Sequence, residues 1–221
     1  MNNAIGIVVS FAFVIGILAF TSILVKAGLV KGEGSRKLIH IGVANWWIIA
    51  MIFFDNPIYA SIVPGVFVIV NYISYKKQLI KAMERDGSKR DMGTVYYAIS
   101  LFILTLITFG SDFHPFIGAI GILVMGYGDG FAAIIGESYG KHSIGFKGSK
   151  KTLEGSLAMF IFSFIVISYL LFIYSDGATL LISFLLAVYA TLAELFTPQG
   201  FDNLTVPLGT SALYCLLLFL I

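Results

Sequence analysis

Residues 129–155 read DGFAAIIGESYGKHSIGFKGSKKTLEG. This stretch opens on an aspartate set among glycines, runs through a glycine-spaced apolar segment and closes on Gly-Ser-Lys-Lys-Thr. The chain around it is built for lipid. Of its 221 residues 58% are hydrophobic and 12% are charged, against about 25% charged in soluble domains. Mean hydropathy is +0.95. Apolar runs approaching the ~20 residues that cross a bilayer recur at 4–25, 38–54, 58–75, 94–109, 116–136, 155–174, 178–196 and 204–221. They predict an all-α, polytopic membrane protein of about eight transmembrane helices, forming a single integral membrane domain over 1–221. The first run lacks the basic flank of a cleavable signal peptide and exceeds its length, so it is expected to stay in the protein.

The basic residues predict the orientation. Lys26, Lys31, Arg36 and Lys37 lie between the first two runs, and Lys76, Lys77, Lys81, Arg85, Lys89 and Arg90 between the third and fourth. Lys141, Lys147, Lys150 and Lys151 lie between the fifth and sixth, which accounts for all 14 Lys and Arg. These alternate connections share one side, and basic loops stay in the cytoplasm. Both termini are then outside. A net charge of +2 segregated this way reflects headgroup anchoring, with no nucleic-acid partner expected. The 76–91 segment reads as an amphipathic surface stretch, and Cys215, alone in the sequence, as a packed thiol.

Carboxylates at membrane depth cost roughly 2.5–3.5 kcal/mol each, so they face cavities and partners. Asp129, Glu137, Glu194 and Asp202 all approach the basic side. Interfacial solvation accounts for Glu137 and Asp202 as readily as a function does. It does not account for Asp129 within Gly126-Tyr127-Gly128-Asp129-Gly130, where glycines weaken a helix and let a backbone approach a ligand. Ala132, Gly136 and Gly140 recur every four residues, the spacing of close helix–helix contact.

After them, Gly148 and Ser149 can present backbone N–H groups, and Thr152 can cap the helix that follows. Lys147, Lys150 and Lys151 add point charges suited to phosphates. The spacing does not fit a Walker A loop. Arg36 and His40 share a helical face, suited to binding phosphate or accepting a proton. In TPQGFDNLTVPL, residues 197–208, Pro198, Gly200 and Pro207 bracket Asp202 and Asn203 in a connection expected to close over the same site. The pattern points to a membrane enzyme that uses a nucleotide.

RKLIHIG at 36–42, the 129–155 stretch and Glu194 followed by DNLTVPL at 202–208 together resemble the CTP-dependent lipid kinases, the group of phytol kinase, dolichol kinase and the yeast-type diacylglycerol kinase. The signature is Asp129, Ala132, Gly136 and Gly140, then Lys150-Lys151-Thr152-Leu153-Glu154-Gly155, with nine residues between Gly140 and Lys150. The compact prokaryotic phytol-kinase-like members are the nearest in size. The resemblance implies transfer of the γ-phosphoryl group of CTP to a lipid alcohol at the cytoplasmic face of the cell membrane. It implies Mg²⁺ on Asp129 with Glu194 or Asp202, and phosphates held by Lys150, Lys151 and the Gly148-Ser149 backbone. Glu154 would orient Lys150 or cap its helix, and Arg36 or His40 would meet the phosphate or the alcohol. Two other readings stand beside it. CTP:phosphatidate cytidylyltransferases share the central signature, but their closing His-Gly-Gly and Arg-x-Asp pattern is missing from 197–203. A small transporter would explain a broken span with carboxylates in it, but not the gathering of phosphate-binding residues on one face.

Overall fold

A computed structural model describes residues 2–77, 79, 92–110, 113–144, 151–174, 179–198 and 200–220. Ten α-helices follow in chain order: α1 Asn3–Lys26, α2 Glu33–Ala44, α3 Trp46–Phe53, α4 Pro57–Lys77, α5 Gly93–Thr108, α6 Pro115–Leu123, α7 Gly130–Tyr139, α8 Leu153–Tyr174, α9 Thr179–Phe196 and α10 Asp202–Leu220. A π-helical segment, Val124–Asp129, joins α6 to α7 into one continuous rod. There is no strand among the described residues beyond one isolated bridge, Ser143 to Thr152.

The ends of these helices follow from side chains able to serve free N–H groups. Asn2 accepts from the Ile5 N–H at the start of α1, and His114 accepts from Phe116 ahead of Pro115 at the start of α6. At the far end of the bundle, the Asn3 amide donates to Asp55 Oδ1 at 2.8 Å, tying α1 to the α3–α4 turn. That bond holds the Asp55 carboxyl below its usual range.

One predicted span is more broken than its composition suggests. The run at 38–54 splits into α2 and α3 at Asn45, whose amide donates to Ile41 O at 2.8 Å and whose Oδ1 accepts from Tyr127 at 2.8 Å. The connection at 197–208 is also shorter than expected, because α10 already begins at Asp202 and Pro207 lies inside it. A proline there has no N–H for the carbonyl four residues back. The Ser100 hydroxyl donates to that Asn203 carbonyl instead, at 2.6 Å.

Five helices among the described residues are long and apolar enough to cross a membrane: α1, α4, the Pro115–Tyr139 rod, α8 and α9. The Gly93–Thr108 helix is apolar but shorter. Burial sorts them into layers, with 78% of the rod's apolar window inside the protein against 17% for α1. The rod is therefore the axis, packed by α2, α3, α5, α8 and α10, with α1, α4 and α9 further out. Trp46, Trp47, Ile120, Met125, Met159 and Ile167 fill the core. Val8, Phe20, Phe172 and Leu180 point outward and are more than half exposed. A surface this apolar is what hydrocarbon solvates and water does not. Cys215 is a half-buried free thiol in α10.

Candidate active site

Glycine sets how close the axis comes to its neighbours. A Cβ on Gly126 would sit 2.2 Å from Ala44 Cβ, one on Gly130 2.5 Å from Ile41 and one on Gly128 2.5 Å from the Ser163 hydroxyl. The glycines around Asp129 thus face α2 and α8, and what their missing side chains admit is a neighbouring helix, where the sequence suggested a ligand. The wider i→i+5 turn of the π-segment ends on Asp129; such insertions occur often at functional sites.

Close approach of α2 brings Lys37 to Asp129. The two side chains form a buried ion pair, each 5% exposed. Arg36, on the same turn, pairs with Glu33. His40 is buried and stacks on Tyr97 of α5, with ring centroids 3.9 Å apart. Its Nε2 has no hydrogen-bond partner among the described residues.

Two more carboxylates reach Asp129 from other helices. One oxygen each from Asp129, Glu194 at the end of α9 and Asp202 at the start of α10 lie within 4.8 Å of one another. Lys151 Nζ is 2.8 Å from Glu194 Oε1 and also donates to the Glu194 carbonyl. Asp202 has no cation partner among the described residues. It is instead held by Asn203, whose backbone N–H and amide each donate to its Oδ1 at 3.0 Å. The Asn203 amide also donates to the carbonyl of Gly200, which adopts φ +91°. Three carboxylates against two lysines leave one negative charge in excess in a buried place. A divalent cation with oxygen ligands neutralises such a set, so the donors fit Mg²⁺.

The Ala132, Gly136 and Gly140 stripe lies against the start of α8, as its spacing predicts. Cβ atoms on Gly136 and Gly140 would come within 3.0 and 2.8 Å of Thr152 Oγ1. A Cβ on Gly155 would meet Ala132 O at 2.9 Å. Thr152 caps α8 by accepting from the Gly155 N–H at 3.1 Å. Ile144 N–H donates to Lys151 O, and Leu153 N–H to His142 O, both at 2.9 Å. These bonds close the neck of the loop that includes Lys147, Gly148, Ser149 and Lys150, all four of which lie outside the described residues. Glu154 binds His142 Nδ1 at 2.8 Å and so secures that neck. Glu137 is exposed on α7 and stands apart from the carboxylates.

The sequence reading named Asp129, Glu194, Asp202, Lys151 and Asn203, which meet, and placed Arg36 and His40 beside them. It did not single out Lys37. Lys37, Ile41 and Ala44 share one face of α2, and that face packs on the glycines beside Asp129. The periodicity of small and charged residues across 37–44 was the available signal.

No family model and no solved structure matches the chain. A phytol kinase of Synechocystis sp. is 33% identical over 94% of this chain and 88% of its own length. The chain belongs to the phytol kinase family. Phytol kinase 1 of Arabidopsis thaliana is 31% identical over 88% of this chain and 69% of its own, and a probable phytol kinase 1 of Glycine max is 33% identical over 86% and 68%. In this member of the phytol kinase family, the three sequence stretches meet at one place. Lys37 comes from the first, Asp129 and Lys151 from the second, Glu194 and Asp202 from the third.

Proposed function

We propose that this protein is a lipid-alcohol kinase that transfers the γ-phosphoryl group of CTP to the hydroxyl of a membrane prenol, such as phytol or geranylgeraniol, at the cytoplasmic face. The observation that carries this reading is the convergence of three buried carboxylates from three helices with Lys37 and Lys151. Membership of the phytol kinase family supports the acceptor class. The placing of all 14 basic residues in alternate connections of the expected eight-span topology supports the cytoplasmic face, with both termini outside.

Phosphoryl transfer depends on positioning and charge neutralisation more than on covalent chemistry by the protein. Asp129, Glu194 and Asp202 would hold Mg²⁺, which when bound supplies positive charge to the donor phosphates. Lys151, the 147–150 loop beside it and the capped start of α8 would hold the β- and γ-phosphates. Lys37 pairs with Asp129 and aims it. His40, with a free ring nitrogen, would orient the acceptor hydroxyl or take up its proton.

Purified protein in lipid, given γ-labelled CTP or ATP, Mg²⁺ and a panel of prenols and diacylglycerol, should yield a labelled prenyl phosphate and CDP. Pyrophosphate release would indicate a cytidylyltransferase. Solute flux without nucleotide turnover would indicate a transporter. Either result overturns the proposal, as would full activity in Asp129→Asn.

A further inference from the structure

A narrow cleft lies between α1, α2, α4 and α5. Its composition changes along its length. At one end are Arg36, His40, Asn71, Thr94 and Tyr97; further along are Val14, Val43, Trp46, Val63 and Leu101. Arg36 lies in the first turn of α2, and Trp46, ten positions on, begins α3 beyond the break at Asn45. The polar end adjoins the carboxylates, because Lys37, between Arg36 and His40, is the partner of Asp129.

Among the described residues, three buried polar atoms on three helices find no hydrogen-bond partner at this end: His40 Nε2, Asn71 Oδ1 and Tyr97 Oη. His40 stacks on Tyr97, and the Asn71 amide donates to Thr94 O at 3.0 Å, one turn before Tyr97. Leaving such groups unpaired costs roughly 1–3 kcal/mol each, so the arrangement calls for a ligand that can both donate and accept.

We infer that this cleft is the acceptor site: the hydroxyl of the lipid alcohol lies among His40, Asn71 and Tyr97, and its tail runs between α2 and α5 toward Trp46. A neutral hydroxyl satisfies an imidazole nitrogen, a phenol and an amide oxygen together. A carboxylate headgroup has no proton to donate and would leave the Asn71 amide oxygen unpaired. Val43, Val63 and Leu101 would then set the length and branching of the tail that fits. The inference rests on the proposed kinase reading and adds the residues that select the substrate.

Two experiments test it. Geranylgeraniol carrying a photoreactive diazirine at its far end, irradiated with the protein, should label peptides of α3 or α5 around Trp46 and Leu101. The matching fatty acid should label them far less. Labelling confined to the outer faces of α8 and α9, or equal labelling by the acid, would overturn the site whether or not the protein turns over nucleotide. Separately, Val43→Phe should lower kcat/KM for geranylgeraniol roughly tenfold relative to geraniol, since hydrophobic pockets discriminate about that much. An unchanged ratio in folded protein would also overturn it. If the wild type phosphorylates no alcohol but the cleft still labels, the kinase reading fails and the binding site stands.

Discussion

Replacing Lys37 with methionine removes one half of an ion pair that water barely reaches, since both side chains are 5% exposed. An exposed pair of this kind is worth at most about 1 kcal/mol. Here the loss leaves a buried aspartate beside two other carboxylates, and breaking such a pair costs about 3–5 kcal/mol. At ~1.36 kcal/mol per factor of ten, the folding equilibrium constant should fall by a factor of roughly 10² to 10⁴. The double variant Lys37→Met with Asp129→Leu removes both charges and should recover most of that stability, because apolar replacement of buried pairs is often neutral. Reversible unfolding in mixed detergent micelles, run as a double-mutant cycle, reads the coupling. Prenol kinase activity should be lost in both single variants and stay lost in the double variant, separating stability from turnover. A cost below about 1 kcal/mol for Lys37→Met, or activity regained with stability, would refute the reasoning.

Chelation of divalent cations should abolish turnover and Mg²⁺ should restore it; in Asp202→Asn the Mg²⁺ concentration needed for half-maximal rate should rise at least about tenfold. Gly136→Val pushes a side chain into Thr152 and the start of α8, where the space for a Cβ is already 3.0 Å, and should lower stability by about 1–3 kcal/mol in the same unfolding assay. Thr152→Ala removes the cap on α8 and should cost about 0.5–2 kcal/mol. Thr152→Ser keeps the oxygen and should cost clearly less than Thr152→Ala.

The membrane character was readable from the chain because it rests on local signals: apolar runs announce helices. Asp129 and Glu194 stood out because a carboxylate in an apolar run is costly wherever the fold puts it. What escaped notice depends on neighbours far away in sequence. Lys37 looked like one more interfacial anchor until α2 was seen against the axis, and its partner lies 92 positions on. The glycines near Asp129 suggested room for a ligand, yet Ala44, Ile41 and Ser163 occupy that room. Asn45 gave no warning of a break, since the hydroxyl that holds its Oδ1 belongs to Tyr127. Pro207 falls both in the 197–208 stretch and in the apolar run at 204–221, and nothing nearby reveals that Ser100 serves the carbonyl it strands.

The axial rod has almost no side left to solvent or lipid, and glycine meets helix on three of its flanks. Such a column leaves evolution little freedom: at Gly118, Gly121 or Gly126 even a methyl group would strike a neighbour. Positions such as Val8 and Phe172 touch only the surroundings, and nearly any greasy residue satisfies them. Adaptation to a new membrane can therefore rewrite the outer coat of this protein while its reactive centre stays untouched.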